Sequence, residues 1–245
     1  MSGHSHAKTI KHQKELTDKK RGQAFSKIAR LISVAVKEKG ASPETNSRLR
    51  MAMEAARSAN MPKDNIDRAI KKGSGEDVSV ESLEEVIFEA FGPGGSAIII
   101  EGITDNRNRT LGEIKQILNQ YGGKLAGEGA VRWMFEKKGC LVIDPNSQAN
   151  GLKDKEALEL ASIEAGAQDI YWHDGVLDVY TSVEDFEKVK KGLEEKGTKI
   201  DSASLDWTPK EEVVPDEKDK ESCQKLFEAL DDLDSVQEIY SNLKS

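Results

Sequence analysis

The chain has little cysteine, few aromatic residues and no long apolar run, and each shortage removes a class of protein. Two cysteines among 245 residues, Cys140 and Cys223, cannot build a disulfide framework and are expected as buried free thiols of a reducing compartment. Aromatic residues make up 5% of the chain, a poor supply for a platform on which single-stranded bases stack. The longest unbroken apolar stretch, Ala97–Ile100, is far short of the roughly 20 residues that span a bilayer. Neither an apolar signal-peptide segment nor an Arg- and Ser-rich transit peptide is seen in the first residues, so a cytosolic protein with no membrane partner is expected. Hydrophobic content is modest, yet apolar periodicity is clear, which predicts folded domains and not a disordered chain.

Charge is plentiful and unevenly divided. Residues 1–75 hold 17 Lys and Arg against 7 Asp and Glu, a net of +10, although the whole chain carries −8. Residues 76–245 are therefore at −18. Such a split marks a segment that meets a polyanion, nucleic acid first. The densest stretch holds Lys8, Lys11, Lys14, Lys19, Lys20, Arg21, Lys27 and Arg30 against Glu15 and Asp18, a net of +6 in 23 residues. Lys8, Lys11 and Lys14, spaced by three, share one face if helical. Each phosphate they neutralise would add roughly 0.9 to the salt slope on a duplex. Lysine outnumbers arginine 11 to 6 over residues 1–75, which suits phosphate contact better than bidentate reading of base edges. A body at −18 repels a polyanion, so most of the molecule must face away from it.

Periodicity predicts three helices within Lys14–Lys72. Phe25, Ile28, Ala29, Ile32 and Val36 line the first, which Gly40 closes. In the second, Ser42 is the expected cap and Pro43 the first helical residue, ahead of Leu49, Ala52, Met53 and Ala56. The third opens around Pro62, buries Ile66, Ala69 and Ile70, and ends at Lys71-Lys72 with Gly73 as a left-handed cap. A linker, Gly73 to Asp77, follows. The period then switches to two. Strands are predicted at Glu85–Phe91 and Ala97–Ile103 around the turn Gly92-Pro93-Gly94-Gly95, then a helix with Leu111, Ile114, Leu118 and Tyr121. Two further strands, Val131–Phe135 and Cys140–Ile143, flank Lys137-Lys138-Gly139. From Cys140 to Leu205 the order strand, helix, strand, strand, helix, strand is the ferredoxin-like signature, with Asp174-Gly175 as its hairpin turn. A last helix with Cys223, Leu226, Phe227 and Leu230, and a strand at Val236–Tyr240, have no core of their own and are expected to complete the earlier sheet. The expected fold is α+β and multidomain: a basic helical domain (1–77), a discontinuous α/β domain (78–137 and 206–245) and an inserted ferredoxin-like domain (138–205).

The remaining motifs favour binding over catalysis. His4, His6 and His12 lack carboxylate or thiolate support, so His4 and His12 are assigned to phosphate or RNA contact and no metal is expected. His173 is expected on a hairpin surface. Gly92–Gly95 joins two strands and opens no helix, so it is a tight turn and not a phosphate cradle. Thr104 to Thr110 can cap a helix through Asp105, Asn106 or Asn108, and its Arg107 and Arg109 also make it a candidate anion-contacting loop. In helix three, Asn65 and Arg68 could reach base edges, but the charge order along that helix follows from its dipole alone. No nucleophile–base constellation is seen, so neither an enzyme, a cofactor nor a small-molecule substrate is expected.

Several of these segments carry a resemblance. Gly3-His4-Ser5, Ile10-Lys11-His12, Lys20-Arg21-Gly22, Phe25-Ser26-Lys27, Arg48-Leu49-Arg50 and Asn60-Met61-Pro62 are similar to the YebC/PmpR family. So are Gly92-Pro93-Gly94-Gly95, Thr104 to Thr110, Gly122-Gly123 and Asp232-Leu233-Asp234, which extends the resemblance over the whole chain. It implies three domains and a nucleic-acid-binding regulator, either a DNA-binding transcriptional regulator in a bacterial cytosol or a translational activator on ribosomal RNA or tRNA. The family start usually has Lys-Trp where this chain has His6-Ala7, and Ser where it has Ala130. A third possibility is an interaction module whose acidic domains bind a basic protein.

Overall fold

A computed structural model describes residues 18–75, 83–149, 154–173 and 175–244. Three helices come first: α1 (Asp18–Lys39), α2 (Ser47–Ser58) and α3 (Lys63–Gly73). Next are β1 (Glu84–Phe91), β2 (Ala97–Thr104), α4 (Arg107–Gln120) and β3 (Lys124–Leu125). The order continues with β4 (Phe135–Ile143), α5 (Lys155–Ala165), β5 (Asp169–His173), β6 (Val176–Thr181), α6 (Phe186–Glu195) and β7 (Ser202–Pro209). It closes with α7 (Glu217–Asp231) and β8 (Val236–Ser241).

The helical segment is built on the apolar stripes expected of it. Ile32, Ala35 and Val36 of α1 meet Leu49, Ala52 and Ala56 of α2, and Ile66 and Ala69 of α3. Two of its boundaries differ from expectation. Residues 43–45 form a turn, and α2 is capped by Asn46, not Ser42. The Asn46 carboxamide is fully buried: its oxygen accepts the Leu49 N–H (3.0 Å), and its nitrogen donates to the carbonyls of Ala35 (2.7 Å) and Gly40 (2.9 Å). One side chain thus starts α2 and ties it to the end of α1, which Ser42 on the surface could not do. Gly73 is the last residue of α3 and not a left-handed cap; Gly75 holds the positive φ, at 76°. Gly73 is needed for approach, because a Cβ there would meet the Ser33 carbonyl oxygen at 2.4 Å.

The first sheet has the order β3-β1-β2-β8 with antiparallel neighbours throughout. Val86, Phe88 and Ala90 of β1 and Ile98 and Ile100 of β2 form one core with Ile114 and Leu118 of α4, Cys223, Leu226, Phe227 and Leu230 of α7, and Val236 and Ile239 of β8. The final helix and strand therefore complete the sheet begun before the insertion, as their lack of a separate core required. Val34 of α1 packs with Leu83 and Ile103, and the helical residues form one compact unit with this sheet.

The other unit is Met134–Glu212. Its sheet order, β5-β6-β4-β7, with two helices in β-α-β-β-α-β succession, is ferredoxin-like. The Phe186 ring of α6 sits on Gly139 of β4, where a Cβ would meet it at 2.4 Å. The two strands expected on either side of Lys137-Lys138-Gly139 are one, β4, paired with β7 from Phe135↔Pro209 to Val142↔Ser202. Lys137 is accommodated in it by stacking its ammonium 5.1 Å from the centre of the Trp207 ring. Val131 lies before the strand, and Arg132–Met134 is a 3₁₀ turn. The compact unit therefore holds β4 and β7 whole, from residue 134 to residue 212.

Candidate nucleic-acid interface

His4, Lys8, Lys11, His12 and Lys14 lie outside the described residues. Lys19 and Lys20 lie in the first turn of α1, and Arg21, which follows them, is exposed. The next two candidates point elsewhere. Lys27 donates to the Asp231 carboxylate (2.6 Å) and to its main-chain carbonyl (2.9 Å), and only 12% of its side chain is exposed. The last turn of α7 has no basic residue of its own, so Lys27 supplies the positive charge that a helix C-terminus favours. Arg30 donates to the Ile103 carbonyl (3.0 Å) at the end of β2. Lys27 thus ties α1 to the C-terminal end of α7 and Arg30 ties it to the end of β2, both meeting carbonyls that need donors. Gln23 (to Asp232 O, 3.2 Å) and Lys37 (to Leu83 O, 3.0 Å) do the same.

Arg107 and Arg109 are exposed at the start of α4. Asn106 caps this helix by accepting the Arg109 N–H at 3.0 Å. The Arg107 guanidinium stands 5.6 Å from the centre of the Phe88 ring, and Arg109 pairs with Asp105. Burial would raise the Asp105 carboxyl, but its own backbone N–H and Arg109, with Arg30 further off, hold it below the ordinary range. The loop is a capped helix start with one arginine engaged and the other resting on an aromatic face.

The structure also exposes Arg57 at the end of α2 and Lys63 on α3, which the sequence reading passed over, beside Arg68, Lys71 and Lys72 of α3, which it had weighed only as a base reader and as helix-dipole charges. Arg68, Lys71 and Lys72 lie away from the apolar stripe of Ile66 and Ala69. Arg68 donates to Asn65 and to the Asp64 carbonyl (3.2 Å), so the two side chains suited to base edges hold each other. What remains is a set of ammonium groups able to meet phosphates without reading sequence.

Residues 126–133 contribute a feature of another kind. Glu89 of β1 is nearly fully buried, and its carboxylate accepts the N–H groups of Gly129 (2.7 Å), Val131 (2.7 Å) and Arg132 (2.9 Å). Burial pushes this carboxyl up, but the three N–H groups and Arg132 outweigh it and hold it below the usual range. The loop so pinned ends in Trp133, which is 68% exposed. Sequence reasoning missed Trp133 because it treated the stretch as part of a strand.

In the ferredoxin-like unit, Cys140, Asp178, Tyr180 and Asp206 are all buried. Burial, reinforced by Cys140, Asp178 and Asp206, pushes the Tyr180 hydroxyl well above its ordinary value. His173 is not a plain surface residue: its Nε2 stands 3.2 Å from the Asp178 carboxylate. Cys140 and Cys223 are free thiols, both buried, as expected. Among the described residues no group of three or more His, Cys, Asp or Glu side chains could hold a metal, and no helix is long and apolar enough to cross a membrane.

A cation-bearing three-helix segment joined to one α/β sheet, with a ferredoxin-like unit inserted before that sheet is complete, defines a distinct class of architecture. Residues 5–76 match the family description "TACO1/YebC protein N-terminal domain", and residues 83–243 match "TACO1/YebC second and third domain". The chain belongs to the TACO1/YebC family. It is 45% identical over 243 residues to a protein of Halothermothrix orenii (99% of this chain, 94% of the relative) and 47% identical over 242 residues to one of Syntrophus aciditrophicus (99% and 95%). Both relatives are named "Probable transcriptional regulatory protein". The crystal structure of a conserved hypothetical protein from Aquifex aeolicus is similar with a TM-score of 0.88 and 41% identity, covering 96% of this chain and 95% of that one.

Proposed function

We propose that the protein is a nucleic-acid-binding regulator of gene expression that grips the phosphate backbone with its helical segment, acting on duplex DNA as a transcriptional regulator in the cytoplasm. The observation that carries this reading is the sorting of cations in that segment. Lys27, Arg30 and Lys37 bind protein acceptors, while Lys63, Lys71, Lys72 and Arg57 are left on the solvent side. The names of the relatives favour transcription over other forms of regulation. It is a binder and not an enzyme.

A second reading, attachment to ribosomal RNA or tRNA as a translation factor, is favoured by a specific observation. Arg68 is held by Asn65 and Arg109 by Asp105, so neither is poised to read a base pair, and contacts limited to phosphate suit a structured RNA equally well. In-cell crosslinking followed by sequencing of the bound nucleic acid separates the two. Promoter peaks that survive RNase support the transcriptional reading. Recovery of rRNA or tRNA without promoter enrichment replaces it with the ribosomal one. Recovery of neither class above background refutes both.

A further inference from the structure

We propose that the outer face of α5, centred on Leu160 and Ile163, is a docking surface for a basic amphipathic helix of another protein. The two side chains are 57% and 60% exposed. They lie three residues apart and so share one face of the helix, away from Leu158 and Ala161, which are buried. The companion helix α6 shows that the fold does not require this. Phe186, Val189 and Leu193 fill its inner face, and every other residue in it is Lys, Glu or Gly. A lone exposed leucine would be ordinary; two adjoining on one face, rimmed by charge, mark a contact surface.

The rim decides what fits. Residues 154–169 carry Asp154, Glu156, Glu159, Glu164 and Asp169 against Lys155 alone. Glu156 lies one turn before Leu160 and Glu164 one turn after it, so the face reads acid, apolar, apolar, acid. Glu159 is held by the Trp172 Nε1–H (2.6 Å), Glu164 pairs with Lys196, and Glu156 is exposed. The same sign extends over the unit, where residues 134–212 hold 18 Asp and Glu and 10 Lys. Such a surface repels phosphates, anionic lipid and the identical face of a second copy. It fits a helix with aliphatic side chains three or four apart and Lys or Arg a turn to either side, packed ridge into groove over Leu160 and Ile163. Two anchors make a transient contact and not a permanent interface. This face and the cations of α2 and α3 belong to different compact units, so the inference stands apart from the nucleic-acid reading.

The probe is a fluorescein-labelled helical peptide of about 18 residues, with leucines three and four apart on one face and lysines elsewhere. It is titrated with the full chain and followed by anisotropy. A second peptide keeps the leucines and carries glutamate for every lysine. The expected result is micromolar binding of the first peptide and none of the second. Leu160→Gln with Ile163→Gln should weaken that binding about tenfold and Glu156→Lys about threefold, with melting curves unmoved. Glu187→Lys, on α6, should leave it unchanged. An affinity that the two glutamines leave in place, or that Glu187→Lys lowers as much as Glu156→Lys does, would show attraction to the acidic body as a whole and overturn the proposal. Equal binding of the glutamate peptide would overturn it by removing the basic partner. A dimer seen in sedimentation and lost in the glutamine variant would make the face a contact between copies and refute it as well.

Discussion

The two faces of the helical segment carry the same residue types and put them to opposite uses. On the face toward β2 and the end of α7, Lys27, Arg30 and Lys37 donate to a carboxylate and to main-chain carbonyls at 2.6–3.0 Å. On the outer face, Lys63, Lys71 and Lys72 of α3 are left to solvent. Charge density along a sequence is therefore a poor guide to charge density on a surface. A lysine beside a helix C-terminus is a structural donor, and the same lysine on an open helix face is a ligand for anions.

This contrast can be broken by substitution, and the largest effects should come from the inner side. We predict that Glu89→Ala lowers unfolding free energy by about 3 kcal/mol in urea titrations, since the buried Val131 N–H and the half-buried N–H groups of Gly129 and Arg132 lose their acceptor. The milder Glu89→Gln should cost about 2 kcal/mol at pH 7. Because the folded carboxyl titrates below its ordinary value, its contribution is present above the unfolded value near 4.3 and is lost as pH falls through the lowered folded one. The gap between wild type and Glu89→Gln should accordingly narrow below about pH 4; a constant gap would show that the charge is irrelevant. Gly73→Ala should destabilise by about 2 kcal/mol through its clash with the Ser33 carbonyl, where an open helix end would tolerate alanine. Lys27→Ala should lower stability by about 1 kcal/mol and leave the salt dependence of nucleic-acid binding unchanged. The smallest effect on folding belongs outside. Lys71→Glu with Lys72→Glu should leave the melting curve in place while reducing the slope of log K against log salt by about 1 to 2; a slope that stays put would remove these lysines from the interface.

Much of the fold was legible because apolar periodicity is a property of the sequence itself. The stripes of α1, α4 and α7 bury the residues they predict, while β2 is buried on both faces with Ile98, Ile99 and Ile100 all in the interior. The ferredoxin-like order could be read because its hairpin signal and two helical patterns are local. What failed required knowledge of a neighbour. Asn46 became a cap because Ala35 and Gly40 offer carbonyls to its amide, and Gly73 was needed because Ser33 lies across from it. Lys137 and Lys138 seemed to interrupt a strand until β7 supplied Trp207. The candidate interface was legible only as a charge split. That Lys27 and Arg30 meet Asp231 and Ile103, far along the chain, was not legible there. Trp133 was hidden because its setting depends on Glu89, some forty residues earlier.

The insertion between β3 and α7 has a consequence for biogenesis. β2 gains its second neighbour only when β8 pairs with it, from Ile98↔Ser241 to Gly102↔Val236. On a ribosome adding about 5–20 residues per second, the edge of β2 would stay open for on the order of ten seconds after its own synthesis, with Ile98 and Ile100 uncovered by α7. The ferredoxin-like unit can form in that interval from contiguous chain, whereas the first sheet must wait. A nascent chain stalled before Glu217 would thus present a bare apolar strand edge, so premature termination in the last thirty or so residues should send the product to aggregation or proteolysis, not to a shortened working protein.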